Sequence, residues 1–142
     1  MDSEVVKRYF DIDVKKIIEN YDLLRIRNWK IVKHEFPELI ISMIHPQSHN
    51  EYYFLLLCDD IPISLQIVDS KNFLPVQISE WPQGDYFLNG HSVTKGSFLC
   101  IPGIREYHSH HVEQTHWVMT SPDFRLPVVL DSIYAHFLAC RS

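Results

Sequence analysis

An excess of basic residues and a long apolar run are both missing from this chain of 142 residues. The formal net charge is −5, so the chain lacks the basic surface that is typical of proteins that bind nucleic-acid phosphates. No apolar run approaches the roughly eighteen residues that a membrane-spanning helix needs. The sequence therefore predicts a protein whose partners are neither nucleic acids nor membranes.

Cysteine is also scarce, because there are only three: Cys58, Cys100 and Cys140. The N-terminal residues MDSEVVKRYFD lack the pattern of a secretory signal peptide, and an odd number of cysteines does not suit a disulfide framework. Both features predict a reducing, cytoplasmic location. Cys58 follows an apolar strand and Cys140 lies at the end of a helix, so we expect both to be buried as small apolar residues.

The composition is that of a globular protein, with 46% hydrophobic, 13% aromatic and 22% charged residues. A chain of 142 residues can bury one core without disulfide or metal staples, and it is too short to suggest two cores. The sequence contains no internal repeat and no low-complexity tract. We therefore expect residues 1–142 to form a single domain.

Hydrophobic periodicity predicts an α+β fold. Apolar residues recur at helical spacing after Asp13, a candidate N-cap, and again from Leu130 to Leu138, where Pro127 suits a first helical turn. Between these helices, four β-rich runs separated by turn-forming residues predict an antiparallel meander. The four runs are ELIISMI (38–44), EYYFLLL (51–57), ISLQIV (63–68) and VQISEW (76–81). Residues 102–120 are polar and aperiodic, so the expected order is N-terminal helix, four-stranded antiparallel meander, cysteine-bearing loop and C-terminal helix.

Cys100 differs from the other two cysteines in its setting. The strand-like SFLC ends at Cys100 and Pro102-Gly103 follows, so its sulfur should lie where a strand gives way to a loop, a common place for reactive groups. The next sixteen residues contain several polar side chains that suit catalysis or metal binding: Glu106, His108, His110, His111, Glu113 and His116. Cys100 is therefore either a nucleophile, favoured by positive potential from Arg105 and the histidines, or one ligand of a metal ion.

The residues before Cys100 resemble those of the ubiquitin-conjugating enzymes, whose order of helices and strands is also the one predicted here. In that family a His-Pro-Asn triplet, a glycine and an apolar pair precede the catalytic cysteine. In this chain His91-Ser92-Val93, Gly96 and Phe98-Leu99 stand in those positions. The resemblance is closest to the divergent bacterial relatives that are encoded beside ubiquitin-like proteins.

The residues after Cys100 extend the resemblance. Family members carry a tryptophan, a Ser-Pro pair and an amphipathic helix, and this chain has Trp117, Ser121-Pro122 and the helix from Leu130 to Leu138. The segment between Cys100 and Trp117 is longer than is usual in the family. It is an insertion at the place where the family positions its reactive cysteine.

The resemblance implies that Cys100 accepts a ubiquitin-like protein from an activating enzyme as a thioester and transfers it to an amine or hydroxyl of a target. It implies no cofactor, a transferase activity and a role in bacterial antiviral defence. His91 would organise the loop by hydrogen bonds. Val93 replaces the asparagine that stabilises the oxyanion in the family, so we expect His108 or His110 to help deprotonate or orient the acceptor.

Two further hypotheses remain open. Glu106, His108 and His110 alternate, so an extended segment would place all three on one side, where they could bind zinc together with Cys100. This set is similar to that of a predicted metal-binding family from ubiquitin-like operons, although no closely spaced pair such as Cys-x-x-Cys is present. The other hypothesis is an inactive member of the conjugating-enzyme fold that only binds partners.

Overall fold

The chain folds as an N-terminal helix, a four-stranded antiparallel sheet and a C-terminal helix, which confirms the predicted α+β class. The computed structural model describes residues 2–88, 96–110 and 122–141, and of His110 it describes the backbone alone. The helices are α1 (Ser3–Glu19), α2 (Tyr21–Arg27), α3 (Arg105–His110) and α4 (Leu126–Leu138), with short 3-10 turns at Ile78–Glu80 and Pro122–Phe124. The strands are β1 (Trp29–Glu35), β2 (Glu38–Ile44), β3 (Glu51–Leu57), β4 (Ser64–Val68), β5 (Phe87–Leu88) and β6 (Phe98–Leu99). None of the described helices combines the length and apolar character that crossing a bilayer requires.

The core lies between the large sheet and the two long helices. Strands β1 to β4 pair in sequence order, and each pairs antiparallel to its neighbour. Phe137 of α4 packs edge-on against Phe54 and Tyr52 of β3, with ring centroids 5.5 Å apart in each pair. Val14 and Ile17 extend the same core from α1. The sheet is thus covered by helices whose apolar residues recur at the spacing seen in the sequence.

The meander has four strands, as predicted, but one of the four lies elsewhere in the chain. The runs 38–44 and 51–57 coincide with β2 and β3, and 63–68 contains β4. The run 76–81 is not a strand. Pro75 and Val76 contact β4, but the chain then forms a 3-10 turn. The missing strand is Trp29–Glu35, an edge strand whose charged, exposed residues obscure its apolar alternation.

The prediction that Asp13 caps the first helix is also wrong. Helix α1 begins at Ser3, where Asp2 is the N-cap and its carboxylate accepts the Glu4 N–H at 2.8 Å. Asp13 lies within the helix and is only 3% exposed. Its carboxylate accepts hydrogen bonds from Arg125 Nε at 2.8 Å and Arg125 Nη2 at 2.6 Å. This ion pair joins α1 to the start of α4.

Candidate functional site

Cys100 follows a short strand that is anchored in the core. In β6, Phe98 and Leu99 are buried and pair with β5. The Cys100 N–H donates to the Tyr86 carbonyl oxygen at 2.8 Å, which continues the β5–β6 hydrogen bonding by one residue. The Cys100 residue itself is partly exposed. The chain therefore presents a thiol at the point where regular structure ends, as the sequence predicted.

The surroundings of the Cys100 thiol favour its neutral form. Burial raises the pKa of this thiol, because a thiolate loses hydration when it is partly enclosed. Arg105, which the sequence offered as a source of positive potential, instead pairs with the β3–β4 turn. Its Nη2 lies 2.6 Å from Asp59 Oδ1, and its Nε donates to the Pro62 carbonyl at 3.0 Å. Among the described residues, burial is thus the influence on Cys100, and it shifts the thiol towards its protonated form.

The segment that follows Cys100 closes the outer edge of the large sheet. Ile104 forms a parallel bridge with Ile63, and the Arg105 N–H donates to the Ile63 carbonyl at 2.6 Å. One residue further on, Glu106 Oε1 accepts the backbone N–H of Leu65 in β4 at 2.9 Å. Glu106 is buried. These contacts satisfy backbone groups on the edge strand and fix the position of the chain just beyond the cysteine.

His108 holds the turn between Cys100 and α3. Its ring is buried, and its Nε2 accepts the Gly103 N–H at 3.0 Å. A nitrogen that accepts a hydrogen bond carries no proton, so this contact places any proton of the neutral ring on Nδ1. Gly103 has φ +93°, a conformation that L side chains rarely adopt. His108 thus stabilises, by a hydrogen bond, a turn whose backbone conformation requires glycine at position 103.

The zinc hypothesis assumed an extended chain at 106–110, and this assumption is wrong because Arg105–His110 is helix α3. The helix also corrects the expectation that 102–120 would be loop throughout. Residues two apart in a helix are separated by roughly 200° around its axis, so alternation does not bring Glu106, His108 and His110 together. Among the described residues, no three histidine, cysteine, aspartate or glutamate side chains are grouped to hold a metal ion. Instead, Glu106 and His108 each accept a backbone N–H.

Several of the residues singled out in the sequence lie outside the described residues. These are His91 and Val93 of the triplet position, and His111, Glu113, His116 and Trp117 of the insertion. For His110 only the helical backbone is described. Of the predicted site residues, the structure therefore places the side chains of Cys100, Glu106 and His108.

Tyr86 is a residue that the sequence did not indicate. Besides accepting the hydrogen bond from Cys100, it lines an open groove of about 520 Å³ between residues 83–87 and the end of α4. Its ring is half exposed and meets the His136 ring edge-on, with centroids 4.7 Å apart. The pairing of β5 with β6 creates this arrangement, and two-residue strands have no periodic signature in a sequence.

The fold and site define an α+β domain in which a partly exposed thiol, with a pKa raised by burial, follows the short strand β6. No protein-family model matches the chain, and no curated protein matches it. The functional conclusion therefore depends on the chemistry of Cys100 and its surroundings.

Proposed function

We propose that the chain is a thioester carrier of the ubiquitin-conjugating type, in which Cys100 accepts a ubiquitin-like protein from an activating enzyme. The observation that carries this proposal is the position of the partly exposed Cys100 thiol. It follows a four-stranded antiparallel meander and precedes the final helix, which is the order of elements in conjugating enzymes. The partners would be an activating enzyme, the modifier and a protein target, all in the cytoplasm.

The proposed chemistry consists of two acyl transfers. In the first, the Cys100 sulfur attacks the thioester that joins the modifier to the activating enzyme. A new sulfur–carbon bond forms, the old one breaks, and the departing thiol takes the proton. In the second, an amine or hydroxyl of the target attacks the thioester on Cys100, whose sulfur leaves and regains a proton.

The raised pKa of Cys100 affects both steps of this chemistry. The protonated thiol must lose its proton to attack, and a thiol of high pKa is a poorer leaving group, so both transfers need bound groups that activate the reactants. Tyr86, whose carbonyl oxygen accepts the Cys100 N–H, lines a groove with room for an extended chain such as the tail of a modifier, although the cysteine that lines this groove is Cys140.

Within this proposal the histidines have different roles. His108 shapes the turn after the cysteine, because its Nε2 accepts the Gly103 N–H. We therefore assign the deprotonation or orientation of the acceptor to His110. We assign the organisation of the loop to His91. These two assignments are supported by the resemblance to conjugating enzymes.

The test uses the purified chain with an activating enzyme and a ubiquitin-like protein from neighbouring genes, in the presence of ATP. We expect an adduct on the wild-type chain that a thiol reductant removes. Cys100→Ser should form an oxygen ester that resists the reductant, and Cys100→Ala should form none. Cys58→Ala is the matched control, because Cys58 does not line the groove, and it should behave as the wild type does.

Two outcomes would replace the proposal. If no reductant-sensitive adduct forms on Cys100 with active partners, an inactive scaffold that binds the same partners becomes the better account. If the purified protein contains stoichiometric zinc that Cys100→Ala removes, the metal-binding hypothesis takes its place. Metal analysis of both proteins therefore accompanies the adduct experiment.

A further inference from the structure

Helix α4 runs beside the chain that follows Cys100. Val129 of α4 packs against Gly103, since its Cγ2 lies 3.3 Å from the point where a side chain would begin at that glycine. One turn further along α4, Ser132 lines a cavity of about 170 Å³ together with Pro102 and Gly103. The two residues that follow Ile101 are therefore held against the middle of α4.

The residue opposite Cys100 contacts α4 one turn further on. The β5–β6 register sets Tyr86 opposite Cys100, and the hydrogen bond between their backbones continues that register. Opposite residues of an antiparallel pair direct their side chains to the same face, with Cα atoms about 5.5 Å apart where hydrogen bonds join them. The Tyr86 ring meets the His136 ring edge-on, with centroids 4.7 Å apart. Cys100 and His136 therefore lie on the same side of the β5–β6 pair.

The His136 ring is held so that one nitrogen can accept a proton. Its Nδ1 lies 2.8 Å from the Ser132 carbonyl oxygen, which can only accept a hydrogen bond, so Nδ1 carries the proton of the neutral ring. Nε2 is then an acceptor, and no residue in the described part of the chain donates to it. The ring is partly exposed and lines the groove of about 520 Å³ beside Tyr86. A histidine with one nitrogen fixed by a backbone carbonyl and the other free has the arrangement of a general base.

We propose that His136 Nε2 accepts the proton of the target amine that attacks the thioester on Cys100. This role rests on the carrier function proposed above, and it leaves the orientation of the acceptor to His110. The free amine forms a bond to the thioester carbon, its proton passes to Nε2, and the bond from that carbon to the Cys100 sulfur breaks. The imidazolium then gives the proton to the departing sulfur, which restores the thiol and the neutral ring. Because burial raises the pKa of this thiol, the sulfur leaves more readily when a proton is supplied to it.

The test separates the loading of Cys100 from the transfer that follows. The thioester is formed with the activating enzyme, the modifier and ATP, the ATP is then depleted, and free lysine is added as the acceptor. His136→Ala should load Cys100 as the wild type does, and it should transfer the modifier to lysine about a hundredfold more slowly, a usual contribution of a positioned base. His136→Gln keeps a side chain that can accept a hydrogen bond but cannot take the proton, so its transfer should be equally slow. Added imidazole should restore much of the lost rate in His136→Ala.

His34→Ala is the matched control, because His34 is an exposed histidine of β1, at the edge of the sheet opposite to the one that the Cys100 segment joins. It should load and transfer as the wild type does, and thermal unfolding should show that all three variants fold.

The role of His136 is overturned if the wild type transfers the modifier to lysine no faster than His136→Ala does. It is equally overturned if His136→Gln keeps the wild-type rate or if imidazole restores nothing, since either result would indicate a structural contribution of the ring. If no thioester forms on Cys100 in the wild type, the carrier function itself fails, and the role of His136 fails with it.

Discussion

Each of the three cysteines occupies a setting in which burial favours the thiol over the thiolate. The pKa values of Cys58 and Cys140 are raised to about 12 and about 11, and that of Cys100 is raised as well. The sequence predicted the burial of Cys58 and Cys140 from their apolar surroundings, and this prediction is confirmed. It did not predict the neutral state of Cys100, because Arg105 is close in the sequence but its guanidinium pairs with Asp59.

The first prediction concerns the reactivity of Cys100 towards iodoacetamide. Only the thiolate is alkylated, so the rate should rise about tenfold per pH unit while the thiol remains mostly protonated. Because burial raises the pKa of Cys100, the rate should still be rising above pH 9.0, the ordinary value for a thiol. Mass spectrometry of the peptide that contains Cys100 measures the rate. A plateau below pH 9.0 would show that a cation lowers the pKa and would contradict the neutral thiol.

The second prediction concerns Cys58 and the dependence of stability on pH. Its pKa is raised from 9.0 to about 12, chiefly because burial penalises the thiolate. The native state therefore holds this proton more tightly than the unfolded chain does. The resulting stability is fully present below pH 9.0 and is lost as pH rises towards 12.

We test this by urea unfolding of the wild type and Cys58→Ala, at neutral pH and at a pH midway between 9.0 and about 12. The cost of the substitution should be smaller at the higher pH by about 2 kcal/mol, since one pKa unit corresponds to about 1.4 kcal/mol. An equal cost at both pH values would mean that Cys58 keeps its ordinary pKa in the native protein.

Among the secondary-structure elements, those with strong periodicity were predictable and those held by tertiary contacts were not. β2 and β3 lie where the alternation predicted them, because their residues have strong β preference and sit in the interior of the sheet. Helix α3 has the polar sequence REYHSH and no apolar period. Its backbone is fixed by contacts with β4 that are more than forty residues away in the chain, and such contacts leave no local pattern.

The third prediction concerns the attachment of α3 to the edge of the sheet. Glu106→Ala removes the acceptor of the buried Leu65 N–H, so it should lower the free energy of unfolding by about 1–3 kcal/mol. Glu106→Gln keeps an oxygen at the same place and should cost clearly less. Urea unfolding measures both costs, and hydrogen exchange at the Leu65 amide should accelerate in Glu106→Ala.

The matched control for this prediction is Glu80→Ala, which alters an exposed glutamate of a 3-10 turn. It should change stability by no more than about 0.5 kcal/mol. If Glu106→Ala were equally neutral, the carboxylate would not be what holds α3 against β4.

At the scale of the whole molecule, the ion pair between Asp13 and Arg125 ties the first helix to the last. The Arg125 guanidinium also lies 4.4 Å from the centre of the Tyr9 ring, and the Leu126 N–H donates to Asp13 at 3.3 Å. Arg125 keeps a raised pKa because of its hydrogen bonds to Asp13. The sequence predicted two helices in these places but not the contact between them, since an aspartate before an apolar period is also what an N-cap looks like.

The fourth prediction is that breaking this pair destabilises the whole domain. Asp13→Ala leaves Arg125 without its partner in a partly enclosed site and should cost about 3 kcal/mol. Asp131→Ala is the matched control, because it removes a carboxylate from the exposed pair with Arg27. That substitution should cost no more than about 1 kcal/mol. Urea unfolding of the two variants measures the difference, and equal costs would show that the buried pair is no stronger than the exposed one.

The same ion pair sets an order of events during synthesis. Arg125 follows Asp13 by 112 residues. At about 5–20 residues per second, a ribosome needs roughly 6 to 22 s to make that stretch. The strands β1 to β4 end at Val68, so they can all pair during the later part of this interval, while Asp13 still lacks its partner. The helix that is translated first therefore gains its ion pair with Arg125 only after the sheet has all of its strands.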